Sequence, residues 1–336
     1  MKKILLTGGL GYIGSHVAIE LIQKGFDPVI LDDLSNSELF VLDKLQELSA
    51  REIKLEKGDI RDFDFLTTLF STYHIEGIIH LAAKKAVAES VREPLLYYDV
   101  NVLGLVNLLK VIKKAGVKRF IFSSSCTVYG HPHRFPVTEQ TPFGDTPSPY
   151  GKSKQICEQM LQDVSSQVDF KVVSLRYFNP VGAHETAKIG ELPKGIPNNL
   201  VPYITQTAAG WREELSIFGD DYQTADGTAI RDYIHVVDLA RAHVCALEVE
   251  VPKYIALNVG TGKGHSVLEV VHTFQDATGI KLPYKIVDRR PGDVPEIYGD
   301  TRFANTILGW KADKGLSEML VDSWNWQQTL PEKAID

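Results

Sequence analysis

The chain has 336 residues, a net charge of −7 and a pI near 5.8, with 44% hydrophobic and 24% charged residues. This balance predicts a globular chain with one large core or two joined domains, and its negative charge speaks against a nucleic-acid or anionic-membrane partner. Cys126, Cys157 and Cys245 show no paired spacing, which predicts no disulfide or zinc framework and a reducing, cytoplasmic compartment.

Lys2 to Thr7 is a short apolar run cut off by glycines. It reads as a buried strand, not as an export signal. No run of about 18 apolar residues follows anywhere, so no membrane span is expected. Gly8, Gly11 and Gly14 come next, and Gly9 also fits Gly-x-Gly-x-x-Gly. Tyr12 to Lys24 then turns helical, and Pro28 to Leu31 is a second strand with Asp32 at its end. Strand, glycine turn, helix, strand and acid form the dinucleotide fingerprint. The glycines let backbone N–H groups approach a pyrophosphate at the helix N-terminus. Asp32 can accept from a ribose 2′-OH and would repel a 2′-phosphate, so NAD is expected over NADP.

Leu34 to Ser49 reads as a polar loop leading into a helix, with Ser35, Asn36 and Ser37 placed for the adenosine half of a cofactor. Asp59 follows another strand and suits either an adenine amino group or a helix cap. Gly77 to Ala83 is a strand ending in the small residues that let a cofactor come close. Lys85 reads as a contact to ribose or substrate phosphate, or as a solvated lysine. Pro94 to Ala115 is a helix apolar nearly all round; it needs cover on more than one side and is expected to be partly a homodimer interface. Phe120 to Ser125 is a strand that turns polar at its carboxyl end, putting the Ser125 hydroxyl at the sheet edge. His131 and His133 have no acidic or cysteine partner nearby in sequence, and no metal site is expected.

Ser148-Pro149-Tyr150-Gly151-Lys152-Ser153-Lys154 opens a helix, with Ser148 as its cap and Pro149 in its first position. Ile156, Cys157, Met160, Leu161 and Val164 give it one apolar face. Tyr150 and Lys154 are four residues apart and share a face. A phenol beside an ammonium is a candidate base, because positive charge favours phenolate. Val172 to Phe178 is a strand. Beyond it the pattern changes to Gly/Pro/Asn-rich loops, a helix over Leu200 to Gly210, a strand starting at Arg231, a helix over Val236 to Glu248 and a strand over Tyr254 to Val259. The expected fold is α/β: a Rossmann doubly wound parallel sheet over residues 1–180 and a smaller C-terminal α/β substrate lobe over 181–336, with a soft boundary that the chain can recross.

Thr7-Gly8-Gly9-Leu10-Gly11-Tyr12-Ile13-Gly14, Ser125 and Tyr150 to Lys154 resemble the extended short-chain dehydrogenase/reductases. Arg176 to Ala183, Ile196 to Leu200 and Arg231 to His235 narrow the resemblance to the UDP-glucose 4-epimerase family, over essentially the whole chain. That resemblance implies a C4 epimerisation of UDP-glucose and UDP-galactose on tightly held NAD. Tyr150 is the implied acid/base, Ser125 orients the sugar oxygen, and Lys154 stabilises the phenolate and binds the nicotinamide ribose. It implies cofactor contacts at Gly8, Gly11, Tyr12, Ile13, Gly14, Asp32, Asp33, Leu34, Ser35, Asn36, Ser37, Asp59, Ile60, Leu81, Ala82, Ala83, Lys85, Tyr150, Lys154, Tyr177 and Phe178. It carries UDP-sugar binding onto Lys85, Ser125, Tyr150, Asn179, Asn199, Leu200, Phe218, Arg231, Tyr233, Arg290 and Asp293.

Two departures from the family pattern matter. Val100 stands where some relatives place a cofactor-binding Asn. Ile297 stands where relatives carry Tyr, Cys or Ser beside the sugar; its intermediate bulk implies UDP-glucose and UDP-galactose as the main pair, with N-acetylated sugars weaker. An epimerase preferring N-acetylhexosamine or uronic acid substrates, and a non-catalytic NAD sensor, are the alternative readings. A 4,6-dehydratase would need an acidic pair where this chain has Cys126 and Thr127.

Overall fold

Seven parallel strands build the main sheet of the computed structural model, which describes residues 1–290 and 293–331. Pro291 and Gly292, between Arg290 and Asp293, and residues 332–336 lie outside the described residues. In chain order the strands are β1 (Lys3–Thr7), β2 (Asp27–Asp32), β3 (Lys54–Lys57), β4 (Ile75–His80), β5 (Arg119–Ser123), β6 (Lys171–Tyr177), β7 (Asn179–Val181), β8 (Leu215–Phe218), β9 (Ile230–His235), β10 (Tyr254–Val259), β11 (Gly264–Ser266), β12 (Tyr284–Val287) and β13 (Glu296–Ile297). The main sheet runs β10-β6-β5-β4-β1-β2-β3. Its strands are near-continuous apolar runs because both faces are covered. Side-chain alternation sorts them into two cores. Ile4, Leu6, Ile30, Ile79, Ile121 and Val173 pack under helices Tyr12–Gln23 and Val236–Glu248. Leu5, Val29, Ile78, Phe120 and Val172 pack on the opposite face under helices Phe63–Thr72, Gly104–Ala115 and Pro149–Gln167.

The order reverses between β1 and β4, so a crevice opens beyond their carboxyl ends, where open α/β sheets bind ligands. A second lobe forms around Val201, Ile204, Leu215, Tyr233, Phe274 and Met319. It holds a four-stranded group in which β9 pairs with β7, β11 and β13, and the two-stranded β8–β12 pair. The chain recrosses between lobes: after β9 it returns to the main sheet through helix Val236–Glu248 and β10, which pairs with β6.

The long apolar helix is continuous but not uniform. It is α-helical over Pro94–Tyr97, π-helical over Tyr98–Leu103 and α-helical over Gly104–Ala115. The wide turn brings Asn101 inside, where its amide bonds both backbone groups of Lys84 and the hydroxyl of Ser153 (2.8–3.0 Å). By length and composition this one helix among the described residues could cross a membrane, but half of its apolar window is buried inside the protein. Such burial is what a core helix shows.

Candidate active site

The glycine turn after β1 is held by close packing. Gly8 has φ +70°, and a Cβ there would stand 2.9 Å from the amide nitrogen of Ala82. A Cβ at Gly14 would run into the Gly8 carbonyl. The helix that follows has Gly11 at its N-cap and no side-chain cap, leaving its positive end to an anion. Tyr12 donates its hydroxyl to the Gly182 carbonyl (2.7 Å), joining this turn to the second lobe, and Ile13 packs on the core.

Asp32 does more than end a strand. Its carboxylate accepts the Leu10 N–H (3.0 Å), the Leu34 N–H (3.0 Å) and the Ser37 hydroxyl (2.6 Å). It therefore braces the glycine turn and holds Leu34, whose φ of 62° is unusual for a branched side chain. A carboxylate has about four acceptor positions, so one remains for a ribose hydroxyl. Asp33 accepts the Ser35 N–H (2.9 Å), and Ser35 and Asn36 are exposed. Asp59 is not a helix cap: Asp62 caps that helix. The Arg61 guanidinium holds the Asp59 carboxyl below its usual range and also pairs with Asp99 (2.5 Å). Ile60 is buried beneath Gly104.

Beyond β4, the Leu81 N–H reaches the Thr7 carbonyl (3.1 Å) and the Ala82 N–H reaches the Thr7 hydroxyl (3.2 Å). Leu81, Ala82 and Ala83 thus line the crevice opposite Gly8. Ser124 and Ser125 leave β5 one step past its end, and Ser125 opens a short 3₁₀ turn over Cys126–Tyr129 by accepting the Thr127 N–H (3.2 Å).

Helix Pro149–Gln167 begins as the sequence predicts: the Ser148 hydroxyl accepts the Gly151 N–H (3.3 Å) and Pro149 occupies the first turn. Tyr150 and Lys154 are both buried. Burial pushes the Tyr150 phenol up to about 12, while hydrogen bonding from Ser125 pulls the other way. Burial also pulls the Lys154 ammonium down to about 8. Lys154 does not lower Tyr150 in this arrangement. Its Nζ donates to the Ser123 carbonyl (2.7 Å), lies 4.8 Å above the Phe122 ring and sits 6.0 Å from the Tyr150 ring centre. Tyr177 stands near Tyr150, and Phe178 is buried behind Gly299.

The second lobe supplies the other wall. Asn179 in β7 lies opposite Tyr233 in β9, and Ile297 in β13 lies opposite Arg231. Tyr233 is buried, with its phenol pushed up to about 12. Ile297 packs in one apolar cluster with Cys126, Val128 and Phe178, and Cys126 follows Ser125 in the chain. Arg231 lies 3.9 Å from Asp293, and the Arg290 guanidinium covers the Phe218 ring at 4.6 Å. Leu200 opens a helix that has Asn199 as its N-cap.

Sequence reasoning missed Glu191. It accepts from Lys85 (3.4 Å) and from the Asn199 side-chain amide (2.9 Å), linking two residues that the resemblance places at the substrate. The indole of Trp326 holds the Glu191 carbonyl (2.9 Å). Glu191 lies in a loop whose Gly/Pro/Asn composition gave no periodic signal. Thr127 was read only for its lack of acidity; its hydroxyl is buried with no partner among the described residues.

Comparison with known proteins fits this geometry. The GDP-mannose 4,6 dehydratase family matches residues 5–323. A UDP-glucose 4-epimerase of Pasteurella multocida is 49% identical over 333 residues, covering 98% of both chains. The solved UDP-glucose 4-epimerase of Stenotrophomonas maltophila, with bound NAD and formylated UDP-arabinopyranose, is 45% identical with a TM-score of 0.95 over 98% of both chains. That of Bifidobacterium longum, in complex with NAD+ and UDP, is 46% identical with a TM-score of 0.95 over 98% of this chain and 99% of that one. Glycine turn, buried Ser125–Tyr150–Lys154 corner and two-lobed crevice agree with this likeness along the whole chain, which belongs to the UDP-glucose 4-epimerase family.

Proposed function

We propose that the chain holds NAD in the crevice and interconverts UDP-glucose and UDP-galactose at C4, with Tyr150 as acid/base. The main sheet, with its re-entrant helix and β10, binds the cofactor, and the second lobe binds the UDP-sugar. The glycine cradle that a Cβ would fill, the uncapped helix start and the free acceptor position on Asp32 suit a dinucleotide. NAD bound there supplies the acceptor for the C4 hydride and returns it, so no net redox change occurs. Tyr150 removes the proton from the sugar 4-OH, and Ser125 orients that oxygen. The sugar passes through its 4-keto form, turns over, and regains its proton from Tyr150 with C4 inverted. Arg231 and Arg290 suit the diphosphate, because a guanidinium matches phosphate oxygens.

The observation that carries this reading is a buried serine, tyrosine and lysine, Ser125, Tyr150 and Lys154, beyond the carboxyl ends of the strands and beside a dinucleotide-type glycine turn. Cys126, with its thiol pushed up to about 12 by burial, and neutral Thr127 speak against dehydration. The test is purified chain plus UDP-galactose labelled with deuterium at C4 and no added NAD. UDP-glucose that retains the label is expected; loss of the label to water overturns the scheme.

A second copy of the chain is the proposed partner. Val87 and Val91 on helix Val87–Arg92, Leu95 on helix Pro94–Tyr97 and Leu103 at the end of the π-helical turn expose apolar side chains (48%, 59%, 80% and 43%). Sedimentation as a dimer at micromolar concentration is expected, and a monomer there removes this assignment.

A further inference from the structure

Beneath Ser125 lies a buried polar network that the proposed chemistry does not use. Glu158 is on the helix that carries Tyr150 and Lys154, four residues beyond Lys154. Its carboxylate is fully enclosed and has every acceptor position filled. It accepts the Ser124 hydroxyl, the Tyr254 hydroxyl (2.9 Å) and two nitrogens of Arg176 (2.7–3.1 Å). The third Arg176 nitrogen donates to the Tyr129 hydroxyl (3.1 Å) and the Glu139 carbonyl (3.3 Å). Tyr129 donates in turn to Asn258 (2.6 Å). One turn nearer Tyr150, the Gln155 side chain donates to the Val128 carbonyl (2.9 Å).

We infer that Glu158 and Arg176 are positioning residues that fix the Ser125 hydroxyl against Tyr150. The segment they hold runs from Ser124 to Tyr129. Glu158 grips its first residue, and Arg176, held by Glu158, grips its last. Ser125 sits between these two anchors in extended backbone (φ −156°, ψ 150°) and makes none of the network's bonds itself. Both anchors return to the helix that presents Tyr150, so serine and phenol are parts of one rigid body. An apolar pair of similar volume would fill this space as well, since buried ion pairs add little net stability. It would not fix a hydroxyl direction. A misplacement of about 1 Å at a reacting group costs about 10²-fold in rate, which is the scale such a brace protects.

This inference rests on Tyr150 acting as the base, and the experiment separates the two ideas. Ser124→Ala and Tyr129→Phe each remove one anchor and leave the Arg176–Glu158 pair in place. In the holoenzyme, at a temperature where circular dichroism shows full folding, each variant is expected to lower kcat about 3- to 10-fold. The double variant should lose about 10²-fold, with KM for UDP-galactose and NAD content unchanged. The acidic limb of the kcat profile should move to higher pH, because a Ser125 hydrogen bond favours the phenolate and its loss raises the pH at which the base is ionised. Ultraviolet titration of the Tyr150 phenol, with Tyr150→Phe as the blank, should show the same upward movement. Folded variants with unchanged kcat and an unchanged titration overturn the inference. A wild-type chain that does not epimerise overturns the function instead, and the phenol titration then still decides whether the brace controls Tyr150.

Discussion

Lys154 stands with its ammonium 6.0 Å from the centre of the Tyr150 ring and gives its hydrogen bond to the carbonyl of Ser123 (2.7 Å). The two side chains share a helix face, yet the charge does not rest on the phenol. Burial then dominates both groups and drives each toward its neutral form. In the proposed scheme such a pair gains base strength from the positive charge and hydrogen bonding that a bound cofactor and substrate bring, which ties its reactivity to a filled site.

Tyr150→Phe removes one hydroxyl from a position that is 7% exposed. The ring stays in place against Tyr97, whose centroid lies 6.4 Å away. Folding and NAD content are expected to match the wild type, while kcat falls by about 10²- to 10⁴-fold, the usual share of a positioned acid/base. Steady-state turnover of UDP-galactose with a measured NAD content decides it, and near-normal turnover removes Tyr150 from the mechanism.

Lys154→Met should separate activity from stability. The fall of the Lys154 ammonium from 10.5 to about 8 corresponds to about 3 kcal/mol against the charged folded state. Below pH 8 the lysine is protonated whether folded or unfolded, and the protein carries that cost in full. Between about pH 8 and 10.5 the unfolded chain binds the extra proton, so this group's contribution to stability rises with pH. Replacing it with methionine is expected to raise the urea midpoint at pH 7, flatten its rise above pH 8, and move the acidic limb of kcat to higher pH. A lower midpoint at pH 7 contradicts the assignment of burial as the dominant cause.

What the sequence made legible was what local pattern controls. β1, the glycine turn, helix Tyr12–Gln23 and β2 carry a continuous apolar run, a break, a helical stretch and a second apolar run in a fixed order. The Ser148 cap and Pro149 marked a helix start to the residue. The π-helical Tyr98–Leu103 turn was not legible, because a helix apolar nearly all round carries no stripe whose period could tell a wide turn from an α turn. Nor was the return of β10 to the main sheet: Tyr254–Val259 reads as a strand whichever lobe receives it. Glu191, Glu158 and Arg176 act through partners between 8 and 106 residues away, and no spacing rule reaches that far.

Acid should unfold this protein through histidines held neutral. Burial lowers His16 and His80 to about 3 and His243 to about 4. His243 shows why it resists a second proton. Its Nδ1 donates to the Leu239 carbonyl (2.8 Å), so its Nε2 accepts from the Ser123 hydroxyl (2.7 Å). All three folded values lie below the unfolded one. Their contribution is therefore whole above pH 6.5 and is lost as pH falls toward 3. At pH 5 each costs about 2 kcal/mol by linkage. The urea midpoint should drop sharply between pH 7 and pH 5, and His16→Leu should shrink that drop. An equal drop in the variant shows that carboxylates and not His16 carry it.

Ile297 should set which sugars turn over. It is 6% exposed and packs with Cys126, Val128 and Phe178, the first of them next in sequence to Ser125, so in the proposed scheme its branched side chain takes up space near the sugar. Truncation opens room there at a structural cost: Ile297→Ala should lose about 2–4 kcal/mol of stability by leaving a cavity in that cluster. The space gained is that of a few methylene groups, and a hydrophobic pocket discriminates by about 10- to 200-fold per methylene. The wild type is expected to prefer UDP-galactose over UDP-N-acetylgalactosamine, and Ile297→Ala should narrow the kcat/KM ratio by at least about 10-fold. Measuring both substrates side by side, in folded protein with full NAD content, gives the ratio directly. A wild-type preference for the N-acetylated sugar, or a ratio unmoved by the truncation, takes Ile297 out of substrate choice.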